Sequence, residues 1–358
     1  MPITLRSDSI LVRLGALGAA VVGLLCIAAA PIMLQIYQLN QLTDALIVAT
    51  AILGLNLMTG FGGQISLGHS AFFGLGAYTT GVLVSKYDWN PALTFPVALA
   101  VCFLVGMALA GPALRLKGLY LALVTLTFAV LFPGLVRRFD GLTGGSLGIT
   151  GLSFEPLGVQ YFAGRDGGAK WLYWSAIALL ACSFFVVSNL MRSRIGRAIL
   201  ALRENETPAV IAGMNRAAIR TAVFGISAAI TGFAGSLYGL KQGILVPDSF
   251  NILLAILLLA GMVLGGRATL LGPVVGGLAI FYIPEWTRDL GNGHFSEIIF
   301  GVVMILFAFL MPNGIVGGFK SLLNKFVLIE PSIPGDDESD IATAKHGRRG
   351  FKAQSDAR

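Results

Sequence analysis

Apolar runs recur along this chain at about 14–34, 41–58, 64–85, 91–113, 118–135, 171–190, 220–240, 252–266, 268–284 and 297–316. One crossing of a bilayer takes about 20 apolar residues, so the pattern predicts an all-α polytopic membrane protein of about ten transmembrane helices, within a range of about 8–11. Two stretches fit a simple span poorly. The 64–85 run is broken by glycines, and only Arg267 separates the two short runs of 252–284. Both are expected to be broken or re-entrant elements, which survive at membrane depth only when packed in protein or lining a cavity. The first run follows Arg6 and Arg13 and ends near Ala28-Ala29-Ala30, as a signal peptide would. At about 21 residues it exceeds the 7–15 of a signal core, so a retained span is expected. Residues 1–318 therefore read as one transmembrane domain. Residues 319–358 turn polar, with Gly335-Asp336-Asp337-Glu338 before a basic end, and read as a disordered cytoplasmic tail.

Composition sharpens this picture. Hydrophobic residues make up 56% of the 358 residues and charged residues 12%, with a mean hydropathy of +0.81. A water-soluble particle of this size must clothe its surface in polar side chains, so a soluble globular protein is excluded. The net charge of +7 would suit nucleic acid, but the distribution of the charge assigns it elsewhere. With the N-terminus inside, eighteen of the 25 basic residues fall on inside segments. That asymmetry expects both termini in the cytoplasm and no nucleic-acid partner. Cys26, Cys102 and Cys182 each sit in an apolar run, as packing residues rather than a disulfide framework.

One span candidate is unusually rich in glycine. From Gly60 to Tyr78 the chain carries Gly62, Gly63, Gln64, Ser66, Gly68, His69, Ser70 and Gly74, a poor composition for a helix facing lipid. Glycines let another backbone or a passing solute approach closely. Two readings stand: tight helix packing, or a pathway-lining or hinge segment whose polar groups are Ser66, His69 and Ser70. A histidine near a bilayer faces protein or water, and a hydrogen bond at a helix end accounts for it equally well.

A second segment lies between confident spans, in the inside loop 191–220. It runs through Gly196, Arg197, Arg203, Glu204, Asn205, Glu206, Thr207, Pro208, Val210, Ile211, Gly213 and Met214. Thr207 is expected to cap a short helix that begins at Pro208 and ends at Gly213. Val210, Ile211 and Met214 would form its apolar surface, buried either in a groove of a partner or in the lipid interface. The outside loop 136–170 carries Thr143, Gly144 and Gly145, candidates for docking an external partner. Small-residue pairs at Gly235/Gly239, Gly261/Gly265 and Gly272/Gly276 predict close helix crossings. The chain has no G-x-x-x-x-G-K-[ST] phosphate loop and no H-E-x-x-H, and His69, His294 and His346 are scattered. Asp44 and Glu285 lie near span ends, so no midplane relay of an ion-coupled pump is visible. No catalytic residue, metal or cofactor is expected.

Several of these stretches resemble the permease subunits of bacterial binding-protein-dependent ABC importers for branched-chain amino acids, in the LivM-like branch. The residues are Gly54-Leu55-Asn56-Leu57-Met58-Thr59-Gly60, Gly63-Gln64-Ile65-Ser66-Leu67-Gly68-His69, Lys117-Gly118-Leu119-Tyr120-Leu121-Ala122 and Leu142-Thr143-Gly144-Gly145. To these add Gly196-Arg197-Ala198, Arg203-Glu204-Asn205-Glu206 and Gly213-Met214. The similarity covers about residues 40–315. It implies a multi-pass subunit of the bacterial inner membrane, not itself an enzyme. Its partners would be a second permease, as a paralogue, two P-loop ATPase subunits, and a periplasmic or lipoprotein substrate-binding protein. In that scheme the 194–215 loop docks on the ATPase and the 60–78 segment belongs near the pathway. Urea and short-amide permeases share these motifs and are the alternative substrate class; an ion-coupled secondary transporter is the alternative outside the family.

Overall fold

The computed structural model describes residues 3–6, 29–113, 118–152, 167–288, 301–302, 306, 314–318 and 327–330. The chain divides into two compact units, residues 30–318 and residues 1–29 with 319–358. In the terminal unit, strand Ile3–Arg6 pairs in parallel with strand Val327–Glu330, Ile3 opposite Val327 and Arg6 opposite Glu330. The rest of the tail, most of the 297–316 run and residues 14–28 of the first run lie outside the described residues.

The larger unit is a helical bundle. Its main helices are α1 (Ile36–Leu55), α2 (His69–Tyr87), α3 (Pro91–Ala113), α4 (Leu119–Arg138), α5 (Gly167–Arg192), α6 (Arg194–Glu204), α7 (Glu206–Ile211), α8 (Arg216–Gln242), α9 (Ile252–Gly265) and α10 (Gly272–Arg288). Besides the parallel ladder of the terminal unit, the all-α expectation is amended here by an antiparallel ladder of two residues on each side, Ile149–Thr150 with Ile244–Leu245. Among the described residues five helices are long and apolar enough to cross a membrane: Ile36–Phe61, Pro91–Gly111, Tyr120–Arg138, Gly167–Arg192 and Arg216–Gln242.

Hydropathy does not tell which of these helices lies inside. The most apolar of the five, α3, has 22% of its most apolar stretch buried, whereas 83% of the corresponding stretch of α1 is buried. Lipid removes the usual contrast between a wet surface and an oily core, so small and hydroxyl residues mark the interior instead. In α1 and the turn that continues it to Phe61 these are Thr43, Thr50, Asn56 and Thr59, and in α8 Ser227, Thr231 and Ser236, all buried. Most of these hydroxyls return a hydrogen bond to their own helix, as Thr43 Oγ1 does to the Leu39 carbonyl at 2.7 Å and Thr50 Oγ1 to the Leu46 carbonyl at 2.9 Å.

Central helices meet through glycines. Gly76 of α2 faces the backbone of Gly232 in α8, Gly235 faces Phe73, and a Cβ on Gly239 would stand 3.3 Å from the Ala77 carbonyl. The expected crossing at Gly235/Gly239 is therefore backbone against backbone. The 252–284 stretch, expected to be broken or re-entrant, forms two helices packed against each other. Gly261 and Gly265 of α9 lie against Gly276 and Gly272 of α10. The 14-residue α9 is about 21 Å long, short of the roughly 30 Å hydrocarbon core, and it is sheltered by α10 and α1.

Candidate functional site

The 56–74 segment opens where α1 loosens. Residues Asn56–Phe61 form a wide π turn, closed by the Gly62 N–H reaching back five residues to the Leu57 carbonyl at 3.0 Å. Asn56 explains the irregularity. Its Nδ2 donates to the Thr269 carbonyl at 2.8 Å and its Oδ1 accepts from the Ala268 N–H at 3.0 Å. One buried amide thus stands in for a peptide and clamps the α9–α10 turn, where Ala268 holds a φ of 57°. Such π insertions recur at functional sites.

Beyond Phe61 the chain leaves the helix until α2 begins at His69. Thr59 Oγ1 donates to the Gln64 carbonyl at 3.0 Å, and the Leu67 N–H donates to Thr125 Oγ1 of α4 at 3.0 Å. His69 then joins three elements. Its Nε2 lies 2.7 Å from Ser227 Oγ, and its Nδ1 lies 3.0 Å from Ser66 Oγ. The Ser227 hydroxyl donates to the Gly54 carbonyl at 2.6 Å, which can only accept. Ser227 Oγ therefore accepts from Nε2–H, and Nδ1 is left to accept from Ser66, whose oxygen takes the Gly68 N–H at 3.3 Å. This one-way chain runs from the 62–68 loop through α2 to α8 and the end of α1, with a neutral imidazole at its centre.

These polar groups face protein. Ser66 and His69 are each 1% exposed and Ser70 is fully buried, while Gly74 packs against the rings of Phe132 and Phe250. Gly62 to Ile65 reach the surface, and there Gln64 and Gly62 share a crevice with Ile199, Leu202 and Arg220.

That crevice belongs to the 191–220 loop. Ser193 caps α6, its Oγ accepting from the N–H groups of Ile195 at 3.2 Å and Gly196 at 3.3 Å. Gly196, Ile199 and Leu202 turn inward, and Arg194, Arg197 and Arg203 turn outward. The next helix differs from expectation in its start. α7 begins at Glu206 with Asn205 at its cap, so Thr207 and Pro208 sit inside the first turn, where proline is tolerated. Two ion pairs hold the start there: Glu206 binds Arg216, and its Oε2 lies 3.4 Å from the Arg220 guanidinium. Gly213 closes the helix as expected, with φ 86°. Its N–H returns to the Val210 carbonyl at 3.0 Å and the Met214 N–H to the Ala209 carbonyl at 3.2 Å, a Schellman closure. Ala209 is buried, Met214 half-buried, and Val210 and Ile211 project, Ile211 being 81% exposed.

At the other end of the bundle, Thr143 Oγ1 donates to the Val136 carbonyl at 2.6 Å, and Gly144 and Gly145 turn the chain with positive φ. The loop then joins the small ladder, and Leu147 stands 87% exposed. Arg137 pairs with Asp248. Residues 153–166 of the outside loop lie outside the described residues. Sequence reasoning missed the Asn56 clamp, the Ser227 partner of His69, the Glu206 pairs and the ion pair of Lys241 Nζ with Asp44 Oδ2 at 2.5 Å. A lone amide and a lone acid within apolar runs were the visible signals for Asn56 and Asp44. Among the described residues no group of three His, Cys, Asp or Glu residues is placed to hold a metal.

A family profile described as branched-chain amino acid transport system / permease component matches residues 37–308. The permease protein LivM of the high-affinity branched-chain amino acid transport system of Escherichia coli is 32% identical over 315 residues, covering 82% of this chain and 74% of LivM. Its namesake in Salmonella typhimurium is 32% identical over 313 residues, 82% of this chain and 73% of its own. LivH of Escherichia coli, a permease protein of the same named system, is 23% identical over 293 residues, 78% of this chain and 94% of LivH. No solved structure matched.

Proposed function

This chain belongs to the family of branched-chain amino acid transport system permease components, and we propose that it is the translocation subunit of an ATP-driven importer of branched-chain amino acids in a bacterial inner membrane. The urea or short-amide reading loses support, since the relatives above are named for branched-chain amino acids. In this reading the second permease is a paralogue, as LivH is beside LivM, and two P-loop ATPases and an external binding protein complete the assembly. Both termini and the 191–220 loop face the cytoplasm.

The observation that carries the coupling role is α7 itself. It is braced at its start by Glu206 with Arg216 and Arg220, locked at its end by Gly213, and presents Val210 and Ile211 outward. A rigid short helix with an unburied apolar face suits insertion into a groove of an ATPase subunit. The 62–68 loop and the glycines that follow act as the hinge. Thr143 to Gly145, at the far end, belong to the face that receives the binding protein. Co-expression with ATPase, second-permease and binding-protein genes found beside it, followed by ATP-driven uptake of labelled L-leucine, L-valine and urea into proteoliposomes, tests the reading. Uptake of the amino acids is expected; uptake of urea alone, or uptake driven by an ion gradient without ATP, would overturn it.

A further inference from the structure

At the end of the bundle opposite the 191–220 loop, a cavity of about 700 Å³ opens between the start of α1, the turn Pro247–Phe250, the start of α9 and the end of α10. Its volume lies within the roughly 300–1,000 Å³ of small-molecule sites. The lining is mixed. Leu254 and Leu257 of α9, with Ile280 and Phe281 of α10, supply an apolar floor. Asn251 and Glu285 lie about a turn nearer the ends of those two helices, beside Leu253 and Pro284, and Gln41, Asp248 and Ser249 add further polar groups.

The mouth is not uniformly charged. Asp248 is engaged by Arg137, and Glu285 Oε1 accepts from the Tyr37 hydroxyl at 3.3 Å. Asn251 spends its Oδ1 on the N–H groups of Leu253 at 2.9 Å and Leu254 at 3.3 Å. Its Nδ2 therefore points the other way across the amide, with two donors. A carboxylate acceptor, amide and hydroxyl donors, and an aliphatic floor lie within one small volume. A hydrocarbon would leave the mouth desolvated without pairing, a fatty acid would meet Asp248 and Glu285, and a simple amine would leave the donors unused.

We propose that this cavity takes a zwitterionic amino acid with a short aliphatic side chain, as the site that receives the substrate on the external side. The ammonium meets Glu285, the carboxylate meets Asn251, Ser249 and Gln41, and the side chain rests on Leu254, Leu257, Ile280 and Phe281. The inference rests on the importer reading given above.

The test uses the assembled permeases and ATPases in nanodiscs, with Cys26 and Cys182 replaced by alanine and Leu253→Cys introduced, at a lining position that makes none of the proposed contacts. The rate of reaction of that thiol with a charged thiosulfonate is measured with free L-leucine at high millimolar concentration, and with isocaproate or isoamylamine, which each keep the side chain and one charge. L-leucine is expected to slow the reaction several-fold and the two analogues to have little effect. Added Leu257→Trp, which fills the floor, is expected to abolish protection by leucine and to spare protection by alanine. A rate indifferent to leucine, equal protection by isocaproate, or a thiol already blocked in the assembly before any ligand is added would each overturn the proposal. Leucine uptake by the unaltered complex together with an indifferent thiol overturns the site and leaves the importer reading intact. Absence of branched-chain uptake overturns the importer reading instead.

Discussion

The side chain of Arg203, near the end of α6, lies across Gly63: a Cβ at position 63 would come within 2.9 Å of Arg203 Cγ. This is where the 191–220 loop touches the segment that leads through Ser66 and His69 into the bundle. Gly63 also holds φ 67°, so a side chain there is strained twice over. Gly63→Val is expected to leave the protein inserted and to reduce uptake. Adding Arg203→Ala removes the clash but not the backbone strain, so it should restore part of that uptake. Equal loss in the single and double variants would show that the contact does not matter.

Ile211 contributes little to the fold, being 81% exposed on a helix fixed by other residues. Ile211→Asp should leave expression and melting temperature unchanged while weakening association with the ATPases by at least about 1–2 kcal/mol, as loss of an interface anchor does. Detergent pull-down of the ATPases reads this directly. A retained, active complex would refute the docking role of α7.

Topology is best probed at two strongly exposed residues, Leu147 and Ile211. In a chain freed of Cys26 and Cys182, Leu147→Cys should react with an impermeant maleimide added to intact cells, and Ile211→Cys only after the membrane is opened. The reverse pattern would invert the arrangement of the termini and both loops.

Gly76 faces the Gly232 backbone, whereas Gly111 and Gly134 have nothing near the position of a Cβ. Gly76→Leu should lower the melting temperature sharply, since overpacking costs about 1–3 kcal/mol even where neighbours can adjust. Gly134→Leu should be neutral in the isolated chain. Similar thermal shifts for both would mean that α2 and α8 do not cross this closely.

Removing one member of the His69 chain strands the others. Ser227→Ala leaves the imidazole N–H and the Gly54 carbonyl without this partner, a cost of about 1–3 kcal/mol for each buried group left unpaired. The melting temperature of Ser227→Ala is therefore expected to fall clearly. Thr127→Ala, at an exposed hydroxyl that only bonds its own helix, should change it little. Equal stability of the two would show that the relay is not a structural tie.

The sequence by itself determined that the chain lives in lipid, that most of it is helical, and where α7 ends. Those properties depend on local composition and on residues a few positions apart, such as Gly213 beside Met214 and Val210. It also marked 252–284 as irregular, because a lone arginine interrupts an otherwise apolar pattern, whereas of the glycine-broken 64–85 run only the part before His69 leaves the helix. Tertiary structure alone decided which helices are central. In a solvent as apolar as the core, hydropathy ranks α3 first of the five long helices, yet the bundle buries α1. It also decided whether His69 met solute or protein, since its partner Ser227 lies 158 residues away. The start of α7 was likewise settled by Arg216 and Arg220 capturing Glu206, which outweighed the local capping preference of Thr207. Hydrogen bonds and ion pairs between distant segments carry no periodicity, so only the folded chain reveals them.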